Sequence, residues 1–233
     1  MNAEHLAPRL QIVAKMVPSQ SRIADIGSDH AYLAINLIEN NIADFAIAGE
    51  VAKGPLSNTK KEIEKYHYEA KVKARLGDGL AVITDDDQID VICIAGMGGQ
   101  LIRRILNDGQ DKLKNVHRLV LQPNVGEYEL RTWLVNHGFK IVAEDIVAED
   151  YHRYEIIVAE HGQQVLDEEQ LTFGPNLMIT ANETYRLKWQ KELSRLTKIK
   201  QTLEEHPHHG ERKLAETNQA IEQIKEMFEH VGQ

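Results

Sequence analysis

The chain has 233 residues, enough for one substantial domain and an appendage, and its apolar fraction of 42% is typical of a globular protein. Its formal net charge of −9 at pH 7 argues against a surface that binds polyanions throughout. No apolar run is long enough to cross a bilayer, residues 1–17 lack the apolar block of a signal peptide, and the single cysteine, Cys93, allows no internal disulfide. These features favour a cytoplasmic protein.

The first predicted strand, residues 22–26, ends in a short turn that contains one glycine and several polar groups. The turn consists of Gly27, Ser28, Asp29 and His30. A helical pattern begins at Tyr32, and a second apolar run over residues 45–49 closes on Glu50. Strand, glycine turn, helix, strand and carboxylate in this order indicate a nucleotide-cofactor site, in which the second carboxylate accepts hydrogen bonds from a ribose.

The composition of that turn does not match a dinucleotide cofactor. Dinucleotide enzymes place three glycines as G-x-G-x-x-G, whereas Gly27 stands alone and Asp29 would repel a pyrophosphate. S-adenosylmethionine fits better, because it has no phosphate and carries both an ammonium and a sulfonium. A purely structural alternative is that Asp29 caps the following helix. The turn therefore favours S-adenosylmethionine and disfavours a nicotinamide dehydrogenase.

Strands and helices continue to alternate as far as residue 160. Further strands are predicted at residues 71–76, 90–95 and 118–121, with helical spacing between them. Two β-rich stretches, residues 139–150 and 151–160, have no helix between them and should pair antiparallel. The pattern predicts an α/β domain over residues 1–162, built on a doubly wound, mostly parallel sheet.

Ligands of such sheets bind at the carboxyl ends of the strands, and each candidate loop lies at such an end. We expect Glu50 to bind a ribose, Val51 to contact adenine, and Asp78 to meet the exocyclic amine of adenine or to serve only as a turn residue. Met97 is either core filler or a contact to the cofactor or a target base. The predicted cofactor-binding residues are Asp25, Gly27, Ser28, Glu50, Val51, Gly77, Asp78, Gly79, Gly96, Met97, Gly98 and Gly99.

The sequence contains no recognisable nucleophilic triad and no metal-ligand spacing. Methyl transfer needs neither, because the sulfonium already activates the methyl group and the acceptor has only to be held against it. The polar side chains available to orient an acceptor are Asp29, His30 and Asn124.

After residue 162 the pattern becomes helical. Residues 168–178 are a connector that contains Gly174 and Pro175. Heptad-like seams then follow on two helices, and their members are Trp189, Leu193, Leu196 and Leu203, then Leu214, Ile221, Ile224, Phe228 and Val231. The intervening His-Pro-His-His-Gly tract at residues 206–210 favours a plain turn over a metal site. Residues 163–233 are thus predicted to form an antiparallel helical hairpin, a short coiled coil.

The first helix of this hairpin is locally basic although the chain is acidic. Between residues 186 and 200 the only acid is Glu192. Such a stripe is either a solvated helix face or a surface that holds nucleic acid by its phosphates. The candidate RNA-binding cations are Arg186, Lys188, Lys191, Arg195, Lys198 and Lys200.

Several of these motifs together resemble one bacterial family. The segments I-A-D-I-G-S-D-H (residues 23–30), G-D-G-L (77–80), I-A-G-M-G-G (94–99) and L-Q-P-N (121–124) look like those of the tRNA (adenine(22)-N(1))-methyltransferases, called TrmK. The resemblance covers residues 1–160 and extends to the hairpin architecture. It implies a class I, Rossmann-like methyltransferase domain with a seven-stranded sheet, S-adenosylmethionine as cofactor, and a coiled coil that helps to engage tRNA.

The implied chemistry is methylation of ring nitrogen 1 of adenine. That nitrogen has a free lone pair, so a weak base such as Asp29 or His30 would only assist proton loss from the cationic product. Residues 96–99 replace the Pro-Pro-aromatic loop of many amino-methylating enzymes, which leaves the grip on the target base open. Two alternatives also stay open: a methyltransferase of the same fold that acts on a protein or small molecule, and an S-adenosylmethionine-binding protein without turnover. The expected partner is tRNA, with no membrane and no metal, and the oligomeric state is left open between a monomer and a weak dimer.

Overall fold

Seven strands form one sheet in the computed structural model, which describes residues 2–205 and 211–231. The strands are β1 (Ser21–Ile26), β2 (Ala43–Glu50), β3 (Val72–Leu76), β4 (Val91–Met97), β5 (Arg118–Pro123), β6 (Phe139–Glu149) and β7 (His152–His161). Their order is β3-β2-β1-β4-β5-β7-β6, and β1 to β5 are mutually parallel. Strand β7 pairs antiparallel with both β5 and β6. The predicted doubly wound, mostly parallel sheet is confirmed, including the antiparallel pair at its end.

Helices cover both faces of this sheet, which is why its central strands are apolar on both sides. The helices α1 (Pro8–Met16), α2 (Tyr32–Glu39) and α3 (Lys53–Lys65) share a core with Val91 and Cys93 of β4. The helices α4 (Gly99–Asp108) and α5 (Glu127–Asn136) pack against each other. Because side chains alternate along a strand, Ile92 and Ile94 of β4 face this second pair of helices.

A buried ion cluster fixes α5 against the antiparallel strands. Arg131 has no exposed surface, and its Nε donates to Glu144 Oε1 of β6 at 2.7 Å. Its Nη2 also donates to Glu155 of β7. The cluster orients α5, and with it the loop that connects β5 to α5.

The chain divides into two compact units, Met1–Val165 and Leu166–Gln233. In the second unit, the expected connector contains two short helices, α6 (Glu168–Phe173) and α7 (Pro175–Thr180). Asp167 caps α6 by accepting from Gln170 N, and Pro175 begins α7, where its missing N–H costs nothing. Gly174, with φ of 87°, separates the two helices.

Two longer helices, α8 (Glu183–Glu205) and α9 (Glu211–His230), pack together in this second unit. Arg186 Nη2, near the start of α8, donates to Val231 O, just after α9, at 2.8 Å, so the two helices are antiparallel as predicted. Leu196, Ile221 and Ile224 are buried in the seam, and Met227 is buried where Phe228 was expected. The predicted turn at residues 206–210 lies outside the described residues. None of the helices in the described part of the chain combines the length and apolarity that a bilayer span requires.

Candidate active site

Backbone hydrogen bonds join the carboxyl ends of β1, β2 and β3. Gly27 N donates to Gly49 O at 2.9 Å, and Gly77 N donates to Glu50 O at 2.9 Å. Gly27 has φ of 71°, a conformation that glycine adopts without a steric penalty, and the Met97 methyl lies over it. These hydrogen bonds hold the turn after β1 against β2, and the Met97 side chain covers the turn at Gly27.

The ends of β4 and β5 are joined by side-chain amides. Gln122, which is fully buried, accepts from Gly96 N at 2.9 Å. Asn124 Nδ2 donates to Gly96 O at 2.8 Å, and Asn124 Oδ1 accepts from Gln122 Nε2 at 3.2 Å. Both ends of the Asn124 amide are therefore engaged in shaping the turn. The sequence signal for Gln122 was a polar residue at the end of an apolar strand.

The three glycines of the 96–99 cluster have two different structural roles. A Cβ at Gly99 would overlap the Gly126 carbonyl oxygen, so Gly99 allows α4 to pack against the β5–α5 loop. Gly96 has φ of 76°, and a Cβ built there meets nothing within 4 Å. Gly98 is similarly open, with only Val125 at 4.0 Å. Gly96 and Gly98 thus leave open space that a ligand can approach.

A cavity of about 180 Å³ lies at the strand ends. It brings together six of the predicted site residues: Asp25, Gly27, Ser28, Asp29, Gly96 and Met97. Leu33 and Ala95 also line it, as do Arg9 and Leu10 of α1, which no sequence pattern indicated. Arg9 forms an ion pair with Glu149 of β6 and lies 5.6 Å from the Tyr154 ring centroid, contacts that sequence spacing does not reveal.

Asp25 is the most perturbed group in this cavity. It is buried, and its Oδ2 has no hydrogen-bond partner among the described residues. Burial raises the pKa of Asp25 to about 7, the nearby Ser28 hydroxyl lowers it, and the carboxylates of Glu50 and Asp29 raise it further. Ser28 Oγ is likewise buried without a partner. Asp25 Oδ2 and Ser28 Oγ could both accept hydrogen bonds from a cationic donor. The ammonium group of S-adenosylmethionine is such a donor.

Glu50 and Val51 supply the features expected for a nucleoside. Glu50 is buried at the end of β2, and its Oε1 accepts from Thr59 Oγ1 of α3 at 3.1 Å. Its Oε2 has no partner among the described residues and is available to a ribose hydroxyl. Val51 is 72% exposed, an apolar surface against which adenine can pack. Thr59 was missed because a lone threonine in a polar helix gives no sequence signal.

Asp78 and Gly79 line a different cavity, of about 310 Å³, together with residues of α4. Asp78 is exposed and does not line the cavity that contains Asp25. Gly79 has φ of 53° and faces Ile105, so its conformation serves the turn into the short 3₁₀ helix Gly79–Val82. The structure therefore leaves the predicted adenine contact of Asp78 untested.

The turn that carries the catalytic candidates is strained. Asp29, His30 and Ala31 are three consecutive non-glycine residues with φ of 41°, 68° and 57°. The left-handed conformation costs about 1–2 kcal/mol per residue, and such strain clusters at functional sites. Asp29 is 77% exposed at the rim of the cavity, with its Oδ1 3.7 Å from His30 Nε2, and His30 stacks on Tyr32. The strained turn presents Asp29 at the mouth of the cavity, whereas His30 is next to it in the chain and does not line the cavity.

The predicted RNA-binding cations of α8 fall into two groups. Arg186 donates to Ala181 O and Val231 O, and Arg195 pairs with Glu192 at 2.6 Å. Lys200 lies 3.8 Å from Glu204. Lys191 and Lys198 are exposed, and Lys188 lies 5.2 Å from the Trp189 ring centroid. Arg186 therefore braces the hairpin ends, and the exposed Lys191 and Lys198 place positive charge on the surface.

The fold and this arrangement define a class I methyltransferase: a mostly parallel sheet with buried carboxylates near the end of β1 and at the end of β2, beside an open glycine turn. The family model described as tRNA (adenine(22)-N(1))-methyltransferase, TrmK, matches residues 23–226. The tRNA (adenine(22)-N(1))-methyltransferase of Bacillus subtilis is 37% identical, over 99% of this chain and 100% of that protein. The chain belongs to the TrmK family, and S-adenosylmethionine is its cofactor.

Solved structures agree with this assignment. The crystal structure of the B. subtilis tRNA methyltransferase TrmK is 38% identical, with a TM-score of 0.88, and the match covers 96% of this chain and 98% of that one. The M. capricolum TrmK structure in complex with the cofactor product S-adenosyl-homocysteine is 30% identical, also with a TM-score of 0.88. That match covers 97% of this chain and 99% of the M. capricolum chain. The predicted family, fold, cofactor and enzyme class are confirmed.

Proposed function

We propose that the cavity at the strand ends holds S-adenosylmethionine for methylation of N1 of adenine 22 in tRNA, with the residues of this chain in the following roles. The observation that supports this best is the buried, unpartnered Asp25 Oδ2 beside the open turn at Gly96. When bound, S-adenosylmethionine supplies an activated methyl group, and catalysis consists mainly of positioning.

The cofactor is held by two buried carboxylates. Asp25 pairs with the ammonium, and this pairing stabilises its ionised form, which burial otherwise disfavours. Glu50, oriented by Thr59, accepts from the ribose hydroxyls, and Val51 packs on the adenine of the cofactor. Gly96 and Gly98 allow close approach of the backbone, while Gln122 and Asn124 fix the turn that contains them.

The acceptor side is formed by the strained turn after β1. Asp29 stands at the rim of the cavity and His30 is next to it, within reach of a base that enters from solvent. Adenine N1 carries a free lone pair, so no residue of this chain has to deprotonate it. Transfer of the methyl group would break its bond to the sulfonium sulfur, release S-adenosyl-homocysteine and leave the methylated base cationic. Asp29 accepts the proton that this base then loses, which is a task for a weak base.

The hairpin binds part of the tRNA through surface lysines that contact the phosphate backbone. Lys191 and Lys198 offer point charges to phosphate oxygens, and Lys188 does so from beside Trp189. Arg186 and Arg195 contribute less, because hydrogen bonds within the hairpin occupy them. A tRNA substrate places the enzyme in the cytoplasm.

The test is methyl transfer to defined substrates. The protein is incubated with radiolabelled S-adenosylmethionine and, separately, tRNA, a protein extract and a metabolite extract. We expect label in tRNA alone, and mass spectrometry of nuclease fragments should find 1-methyladenosine at position 22. Label in protein or metabolites would favour the same fold with another substrate, and cofactor binding without any transfer would favour a protein without turnover.

A further inference from the structure

The largest of the cavities described here lies on the α4–α5 face and is not the one that contains Asp25. It has a volume of about 640 Å³. Five of its lining residues come from α4 and one from α5; they are Gln100, Leu101, Arg103, Arg104, Asn107 and Trp133. Gln100, Arg103 and Asn107 recur every three to four residues, so they share one face of the helix.

The two arginines of this cavity lack the ion-pair partners that Arg75 and Arg118 have. In the same unit, Arg75 pairs with Asp87 at 2.5 Å and Arg118 with Glu160 at 2.6 Å. Arg103 and Arg104 are exposed, and neither forms an ion pair or hydrogen bond with any described residue. Asp108 borders Arg104 on its other side without reaching ion-pair distance. Two adjacent guanidinium groups are thus left for an external anion, and their planar forks match phosphate oxygens.

The other lining groups suit the same kind of ligand. The amides of Gln100 and Asn107 both donate and accept hydrogen bonds. Trp133, which is only 6% exposed, closes the wall on the α5 side. Guanidinium and amide donors around one cavity suit the phosphate and ribose oxygens of a nucleic-acid backbone.

The cavity is also close to the methyl-transfer site along the chain. Helix α4 begins at Gly99, immediately after the open turn at residues 96–98. Arg103 and Arg104 follow about one helical turn later, roughly 6–8 Å along the axis. A strand of RNA with one base at the glycine turn therefore brings neighbouring phosphates to these arginines.

We propose that this cavity is a second RNA-binding subsite, in which Arg103 and Arg104 bind backbone phosphates of the tRNA that flank the target nucleotide. The inference rests on the proposed tRNA substrate and deepens it, because it places a phosphate contact on the methyltransferase domain itself. The subsite positions the substrate and takes no part in the chemistry.

The first test measures tRNA affinity against salt concentration. The double substitution R103Q/R104Q should lower the slope of log affinity against log salt by about one to two units, since each phosphate contact contributes about 0.7–0.9. The matched control is K60Q/K61Q, which removes two exposed cations from α3, the helix that covers the opposite face of the sheet. Calorimetry with S-adenosylmethionine should give the wild-type affinity for both variants, which shows that both are folded.

The second test follows Trp133 directly. In a W189F background Trp133 is the remaining tryptophan, because the chain has two. We expect tRNA to change its fluorescence emission, and R103Q/R104Q to remove most of that change. An unchanged slope for R103Q/R104Q together with unchanged Trp133 emission at saturating tRNA would overturn the inference. If the wild-type protein methylates tRNA under those conditions, the proposed function stands without the subsite; if it neither binds nor methylates tRNA, the proposed function fails first.

Discussion

Gln122 accepts a hydrogen bond from the backbone N–H of Gly96 at 2.9 Å, across the gap between β5 and β4. Gln122 is fully buried and donates in turn to Pro123 O and to Asn124. Together with Asn124, this side chain fixes the glycine turn that borders the cofactor cavity. Replacement of Gln122 should therefore affect cofactor binding although Gln122 does not line the cavity.

Replacement of Gln122 by Leu should therefore weaken S-adenosylmethionine binding and destabilise the protein. The Gly96 N–H loses its acceptor and the carbonyl of the buried Pro123 loses its donor, and a buried unsatisfied group costs about 1–3 kcal/mol. Chemical denaturation and calorimetry measure the two effects, with the exposed Gln190→Leu as control, for which we expect changes within about 0.5 kcal/mol. Wild-type affinity in Gln122→Leu would mean that the glycine turn holds its shape without Gln122.

Cofactor affinity should rise with pH through the range in which Asp25 ionises. The pKa of Asp25 is raised to about 7 by burial, so below pH 7 an ammonium must bind a site whose carboxylate is mostly protonated. Calorimetry from pH 5.5 to 7 should show affinity increasing by up to about tenfold per pH unit. Asp25→Asn should bind weakly and lose this dependence. If the cofactor affinity of the wild-type protein does not change over this pH range, Asp25 does not bind the cofactor ammonium.

In the protein without cofactor, the buried carboxyl group of Asp25 should lower the free energy of unfolding. The raised pKa means that the folded state holds a proton that the unfolded state releases above about pH 4, so stability falls as pH rises from about 4 to 7. At 1.36 kcal/mol per pKa unit, the shift from 3.8 to about 7 corresponds to roughly 4 kcal/mol. Asp25→Asn should accordingly raise the melting temperature more at pH 8 than at pH 5. An equal change at both pH values would contradict the buried, unpartnered state of Asp25.

The buried cluster around Arg131 should dominate the stability of the α5 region. Arg131→Met would leave Glu144 and Glu155 buried without their cation, which typically costs about 3–5 kcal/mol. The exposed pair of Arg195 and Glu192 is the control, and Arg195→Met should cost at most about 1 kcal/mol. Urea unfolding measures the free energy of unfolding of both variants. If the two variants lose similar amounts, the Arg131 cluster does not dominate the stability of the α5 region.

Substitution of the hairpin lysines should change tRNA binding and leave cofactor binding unchanged. Charge reversal of Lys188, Lys191 and Lys198 should weaken tRNA binding and flatten its salt dependence, because each lost phosphate contact removes somewhat less than one unit of slope. S-adenosylmethionine affinity should not change. If this triple variant methylates tRNA at the wild-type rate, these lysines do not bind tRNA and the role of the hairpin is structural.

The fold was predictable because its signals are local. Apolar alternation located every strand within a few residues, and Glu50 was recognisable as the carboxylate that closes the second strand. Arg9 was not predictable, since its place in the cavity depends on Glu149, which is 140 residues away in the chain. Thr59 became significant only when α3 packed beside β2. The choice of Met227 over Phe228 for the hairpin seam likewise depends on the packing angle, which heptad spacing leaves undetermined.

Binding of the cofactor ammonium by Asp25 can be measured by a carbon-13 NMR titration of the Asp25 carboxyl group. In the free protein the carboxyl should titrate with a pKa of about 7. Saturation with S-adenosylmethionine should lower that pKa by at least about one unit, because a paired ammonium favours the ionised form. A pKa that stays near 7 in the presence of saturating S-adenosylmethionine would contradict an ion pair between Asp25 and the ammonium.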